Sequence, residues 1–211
     1  MDNLLYDEEN EYIKNLFISA QSDSELVKYA RENYIPVLLE DTERLLALLI
    51  KLKLPAKILE IGTAVGYSAR VMLANAPADT VIDTIEIDEE IIKIAKQTLE
   101  KYMNRVNIIE GDALKILPTL NSKYDFIFLD GPKAQYVRYY PYLKSLLNSG
   151  GMIFADNVMM HGMVCGGVAF KHKKKYMVKK MREYLNKVIA DIDLQTTVIN
   201  VGDGIALSVK K

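Results

Sequence analysis

From Lys57 onward, short apolar runs alternate with longer segments of helical period, and near the end two apolar runs flank Gly202-Asp203-Gly204. Together these predict a doubly wound, mostly parallel seven-stranded α/β sheet, closed by a C-terminal antiparallel hairpin and preceded by an N-terminal helical extension. The length, 211 residues, suits one domain over 1–211, with residues 1–54 as the extension. No repeat, low-complexity stretch or Pro/Gly/Ser-rich linker divides it.

The elements follow in order. Between about residues 10 and 54 apolar side chains recur at helical spacing, as at Leu38, Leu45, Leu46 and Leu49 with Thr42 among them, and Pro36 breaks this region into two helices. It is expected to be a cap or an oligomer surface. Lys57–Ile61 reads as a buried strand, 68–75 as a helix and Val81–Glu86 as a second strand. A helix over 89–103, a strand Val106–Glu110, a short helix over 113–117 and a strand over 124–130 come next. A helix over 135–147 leads through Gly150-Gly151 to a strand over 152–155, and 196–201 and 205–209 form the closing hairpin.

Composition narrows the function classes. With 27 Lys+Arg against 28 Asp+Glu the formal net charge is −1, which excludes a wholly basic nucleic-acid coat and an acidic disordered tail. The single cysteine, Cys165, cannot close an internal disulfide or build a cysteine zinc cluster, which points to a reducing compartment. The N-terminus lacks the basic start and apolar core of a signal peptide, and the longest apolar run, 45–50, is too short to span a bilayer. A cytoplasmic protein without membrane contact is the expectation.

In an open α/β sheet, ligands bind beyond the carboxyl ends of the strands. After the first strand, Gly62 and Gly66 let the backbone turn sharply and approach a ligand, and the following helix offers N–H groups at its start. Their Gly-x-x-x-Gly spacing is not the Gly-x-Gly-x-x-Gly that packs a pyrophosphate, so a dinucleotide is disfavoured. Glu86 ends the second strand, where an acid accepts from a ribose diol; a helix cap is the other reading. Asp112 follows the third strand and suits an adenine amino group or the N-cap of the helix at Ala113. Asp130 ends the fourth strand and Asp156-Asn157 the fifth, two carboxylates and an amide that suit a hard ion such as Mg²⁺. Lys133, three residues past Asp130, is placed to act as a base or is a surface lysine at a helix start.

Taken together, Glu60-x-Gly62-x-x-x-Gly66-Tyr67-Ser68, Glu86, Gly111-Asp112-Ala113, Asp130-x-x-Lys133-x-x-Tyr136 and Asp156-Asn157-Val158 resemble the cation-dependent S-adenosylmethionine O-methyltransferases, which include catechol and caffeoyl-CoA methyltransferases. The resemblance implies a cofactor site of Leu38, Gly62, Tyr67, Ser68, Glu86, Asp112, Ala113 and Asp130, a Mg²⁺ site of Asp130, Asp156 and Asn157, and catalytic roles for Lys133 and Asp130. It also implies a homodimer, with the N-terminal helices as a contact. Within the group the chain looks most like bacterial tRNA 5-hydroxyuridine methyltransferases, through its short length, Lys133-Ala134-Gln135-Tyr136 and His161-Gly162-Met163-Val164 after Asp156-Asn157-Val158. The implied substrate is the wobble uridine, U34. Met159-Met160 and Gly131-Pro132 depart from the usual pattern and bear on the shape of the acceptor pocket.

Between 164 and 190, eight basic residues (Lys171, Lys173, Lys174, Lys175, Lys179, Lys180, Arg182 and Lys187) face one acid, Glu183. Such a segment suits a phosphate backbone or is a solvated helix face. His161 shows no carboxylate orienter in the sequence, and Cys165 no catalytic partner. Besides a tRNA methyltransferase, a small-catechol methyltransferase and a silent tRNA-binding or nucleotide-sensing module are the readings in play.

Overall fold

The computed structural model describes residues 37–166 and 172–211 and, ahead of them, residues 8–9, 11–13, 15–16, 28, 30 and 32, which are helical. Pro36, Lys171 and the side chain of Lys173 lie outside the described residues. The chain divides into two compact units, Met1–Ile35 and Pro36–Lys211. In the second unit the helices are α1 (Glu40–Lys53), α2 (Tyr67–Asn75), α3 (Glu89–Thr98), α4 (Ala113–Ile116), α5 (Tyr136–Leu146) and α6 (Lys175–Ala190). The strands are β1 (Lys57–Ile61), β2 (Val81–Glu86), β3 (Val106–Glu110), β4 (Tyr124–Leu129), β5 (Leu147–Ala155), β6 (Leu194–Ile199) and β7 (Ile205–Lys210).

Seven strands form one sheet in the order β3-β2-β1-β4-β5-β7-β6. Neighbours from β3 to β5 pair in parallel, while β7 runs antiparallel to both β5 and β6. This is the predicted doubly wound sheet with its closing hairpin. The chain winds outward from β1 through β2 to β3, then returns to β4 on the other side, so a crevice opens where β1 and β4 part.

Side chains alternate across each strand, which divides the core into two layers. From β4, Phe126 and Phe128 turn to the side covered by α1 and α2, where Leu46, Ile50, Ala69 and Met72 are fully buried. Ile127 and Leu129 turn to the side covered by α5 and α6, with Tyr136, Leu143, Met181 and Tyr184. Each fully buried side chain of this size contributes about 1.5–3 kcal/mol, so both faces are anchored wherever β4 is anchored. Helix α1 carries Glu40, Asp41 and Glu43 in its first turn and Lys51 and Lys53 in its last, matching the helix dipole. Asp88 caps α3 by accepting from the Glu90 and Ile91 amides.

Several boundaries differ from the sequence reading. Strand β5 starts at Leu147 rather than at 152, because Leu147 pairs with Tyr124 across a register shift in β4. The helix expected from residue 135 begins at Tyr136, after a 3₁₀ turn over Lys133–Gln135, and the helix expected to reach 103 ends at Thr98 and gives way to the 3₁₀ turn Glu100–Tyr102. Strand β4 ends at Leu129, which leaves Asp130 as the first residue beyond it. Among the described residues, no helix is long and apolar enough to cross a membrane.

Candidate active site

Register aligns the strand ends. Gly111 N donates to Glu86 O at 2.7 Å, Gly62 N to Ile85 O at 3.0 Å, Asp130 N to Ile61 O at 3.0 Å and Asp156 N to Leu129 O at 3.0 Å. The ladder thus continues one residue past each strand, and Asp112, Glu86, Gly62, Asp130 and Asp156 all emerge at one sheet edge. A cleft of about 390 Å³ opens there, within the range of small-ligand sites. Gly62, Glu86, Asp112, Ala113, Asp130, Lys133 and Asn157 are on its wall. Leu38, Tyr67, Ser68 and Asp156 are not: Tyr67 and Ser68 are nearly buried at the start of α2.

The loop after β1 is shaped by its glycines. Gly62 has φ +97°, and a Cβ there would come within 2.6 Å of the Asp130 carbonyl oxygen, so only glycine lets this turn pass the end of β4. The Ala64 amide donates to Glu86 Oε2 at 3.0 Å, while Glu86 Oε1 accepts from the Ile87 and Asp88 amides at 2.8 and 3.1 Å. Glu86 therefore ties two loops together and is not the cap of α3. Asp112 is an N-cap, accepting from the Leu114 amide at 2.9 Å, and is on the cleft wall as well.

Behind the cleft, Glu60 is fully buried and accepts from Ser68 Oγ at 2.5 Å and Thr84 Oγ1 at 2.6 Å. Because Thr84 gives its proton to Glu60, Thr63 is the donor in the 2.6 Å contact between Thr63 Oγ1 and Thr84 Oγ1. Burial pushes the Glu60 carboxyl up to about 7, against the two hydroxyl donors that pull it down.

At the other end of the cleft, Lys133 Nζ donates to Asp130 Oδ1 at 2.5 Å and to Tyr136 Oη at 2.8 Å. Asp156 is 2 % exposed and its Oδ1 accepts from the Asn157 amide at 2.7 Å. Burial first, then the negative charge of Asp130, pushes the Asp156 carboxyl up to about 7, although Lys133 opposes this. Burial, with Asp130 and Asp156 close by, also raises the Tyr136 phenol well above its ordinary value. Asn157 has φ +54°, which turns its backbone sharply right after Asp156. Among the described residues, no group of three or more His, Cys, Asp or Glu is placed to hold a metal. The set that fits one here is two carboxylates at neighbouring strand ends, one of them buried, and an amide oxygen: hard donors that leave room for oxygens from outside the protein.

Sequence reasoning missed several contributors. The apolar wall of the cleft comes from Ile85, Ile87, Pro132 and Tyr139, residues that read as ordinary strand, loop and helix positions. His161 does have a carboxylate beside it, contrary to the sequence reading: Asp203, from the turn between β6 and β7, accepts from the His161 amide at 2.6 Å, and its Oδ2 lies 3.8 Å from Nδ1. The hairpin turn also receives the Val158 and Met159 amides on the Gly204 and Asp203 carbonyls, so it clamps the segment that follows Asn157. The basic residues of 171–182 divide. Lys174, Lys175 and Lys179 are exposed, Lys180 pairs with Glu183 at 2.7 Å, and Arg182 Nε donates to the Val164 carbonyl at 2.9 Å.

Comparison with known proteins completes the picture. A family model described as O-methyltransferase matches residues 17–211. Caffeoyl-CoA O-methyltransferase 2 of Eucalyptus globulus is 33 % identical over 179 residues, which cover 79 % of this chain and 72 % of that protein. A solved Staphylococcus aureus structure, assigned as a caffeoyl-CoA O-methyltransferase, superposes with TM-score 0.87 at 34 % identity, covering 96 % of this chain and 99 % of the other. The O-methyltransferase TomG of Streptomyces achromogenes, solved with S-adenosylmethionine, superposes with TM-score 0.81 at 27 % identity over 97 % and 96 % of the two chains. With the fold and these matches in agreement, the chain belongs to the S-adenosylmethionine-dependent O-methyltransferases of the caffeoyl-CoA type.

Proposed function

We propose that this methyltransferase is cation-dependent, acts on an acceptor with two neighbouring oxygens, and has the wobble 5-hydroxyuridine of tRNA as that acceptor. The observation that carries the chemistry is the meeting of Asp130, Asp156 and Asn157 at adjacent strand ends, beside a cleft bordered by Lys133 and Glu86. Glu86 would accept from the cofactor's ribose diol, Asp112 and Ala113 would take its adenine, and Gly62 would let it approach the backbone, since all four line the cleft. Leu38, Tyr67 and Ser68, which the family pattern implies, lie off the cleft wall, and Ser68 would act from behind it by holding Glu60. Asp130, Asp156 and Asn157 would hold Mg²⁺ or another divalent ion. When bound, the ion supplies a Lewis acid that makes the acceptor hydroxyl more acidic, and S-adenosylmethionine supplies the methyl group. Lys133 Nζ takes the hydroxyl proton, and the walls of the cleft hold acceptor and donor in line.

The tRNA reading is supported by the exposed Lys174, Lys175 and Lys179 on and beside α6, a helix tied through Arg182 to the loop that follows Asn157. The second reading, a small catechol-like acceptor, is favoured by the caffeoyl-CoA relatives, whose substrates present the same paired oxygens. Methyl-transfer rates on hydroxyuridine-containing tRNA and on free catechol, measured over a salt series, separate the two. If tRNA is the acceptor, replacing Lys174, Lys175 and Lys179 by Ala lowers the tRNA rate and makes its log–log salt slope shallower by roughly 2–3, since each lost phosphate contact removes about 0.7–0.9. Catechol methylation stays unchanged. Equal loss on both acceptors would make these lysines part of the fold, and undiminished tRNA methylation would hand the assignment to the small-molecule reading.

A further inference from the structure

We infer that Tyr136 is a positioning residue for methyl transfer: its hydroxyl aims Lys133 at Asp130 and ties together the ends of β4 and β5. The inference rests on the proposed roles of Lys133 and Asp130.

Tyr136 opens α5 and is fully buried. Its Oη lies 2.9 Å from the Leu129 carbonyl and 3.1 Å from the Asp156 carbonyl. Leu129 is the last residue of β4 and Asp156 the first beyond β5, so one side chain from the following helix touches both strands that present the oxygen donors. The hydroxyl has one proton, shared between these two carbonyls, so its oxygen can only accept from Lys133 Nζ at 2.8 Å. Lys133 in turn donates to Asp130 Oδ1 at 2.5 Å and lies 5.1 Å from the centre of the Tyr136 ring. A lysine stem has rotamer freedom worth about 2 kcal/mol; here its tip is held at two points, the Asp130 carboxylate and the Tyr136 hydroxyl.

The ring that does the holding is itself fixed. Tyr184, from α6 and 1 % exposed, packs edge-on against it with centroids 5.4 Å apart and planes at 81°. Filling the core does not account for the hydroxyl, because phenylalanine has nearly the same volume. Nor does the Leu129 carbonyl need it, since that oxygen already accepts from the Asp156 amide at 3.0 Å. What the hydroxyl adds is the link to Asp156 O and the hold on Lys133.

A double-mutant cycle tests this. Tyr136→Phe keeps the ring and its contact with Tyr184, and lowers kcat for methyl transfer to catechol or tRNA roughly 10- to 100-fold, the loss expected of a catalytic group misplaced by about an ångström. The KM for S-adenosylmethionine stays within about twofold, because Glu86 ends β2 and Asp112 follows β3, neither of which Tyr136 touches. In a Lys133→Ala background, adding Tyr136→Phe changes the residual rate less than about twofold, since the group it positions is gone. The same fold loss in both backgrounds would mean a structural hydroxyl and overturn the inference, as would a Tyr136→Phe chain that does not fold. A readout without turnover runs beside it: acylation of lysines by an amine-reactive ester, followed by mass spectrometry. Lys133 should label several-fold faster in Tyr136→Phe than in wild type, with exposed Lys93 and ion-paired Lys144 unchanged; an unchanged Lys133 overturns the inference. Wild type that methylates neither acceptor defeats the proposed function instead, and the labelling still decides the role of Tyr136.

Discussion

Replacing Gly62 by alanine should damage stability and the proposed metal site together. At φ +97° a residue with a Cβ costs about 1–2 kcal/mol, and forcing an added carbon into a packed site costs about 1–3 kcal/mol more. The second term applies in full here, because the new Cβ falls 2.6 Å from the Asp130 carbonyl oxygen and 3.1 Å from its carbon, backbone atoms with no rotamer to yield. About 3 kcal/mol lost in a chain of this size lowers the melting temperature by roughly 6–12 °C. Gly150→Ala is the matched control: φ is +70° but nothing lies within 4 Å of the added carbon, so only the conformational part is lost, about 1–2 kcal/mol. Thermal melts by circular dichroism compare the two, and divalent-ion titrations of activity follow at a temperature where both are folded. Gly62→Ala should melt well below Gly150→Ala and need more ion for half-activation, since relief of the clash moves Asp130. Coincident melting curves, or an unchanged ion requirement, would refute the close-approach argument.

Two further predictions concern the carboxylates. Excess EDTA should abolish turnover, and Asp156→Ala should lower it roughly 100-fold or more while the calorimetric affinity for S-adenosylmethionine changes little; full activity in EDTA would remove the metal from the mechanism. Glu60 keeps its proton in the folded state up to about pH 7 but only to about its ordinary 4.5 when unfolded, so stability declines as pH rises through that window. Glu60→Gln should flatten the decline of the urea midpoint between those pH values, and an unaltered slope would mean Glu60 is ionised throughout.

Local pattern was enough to define the architecture. Strands Lys57–Ile61 and Val81–Glu86 are where the apolar runs put them, because residues buried on both faces in a parallel sheet leave a dense signal bounded by turn residues, and the edge strand Val106–Glu110 is read from its β-branched Val106, Ile108 and Ile109. The strand-end rule then picked out Gly62, Glu86, Asp112, Asp130 and Asn157 from single positions, since backbone register carries them to one edge whatever their side chains do. The ends of elements were harder to read: Leu147 joins β5 only because Tyr124 receives it across a bulge, a pairing that local propensity does not encode.

What the sequence by itself determined, then, is the parallel sheet, its hairpin and the set of oxygen donors at its edge, all of which follow from periodicity and from position relative to strand ends. Tertiary structure alone decided how those donors are held. Asp203 meets His161 from 42 positions away, Tyr136 reaches the Asp156 carbonyl across 20, and Tyr139 joins the cleft from the helix behind it. Hydrogen bonds of this kind depend on where a folded-back hairpin or a crossover helix brings an atom to within about 3 Å, and no spacing along the chain specifies that distance.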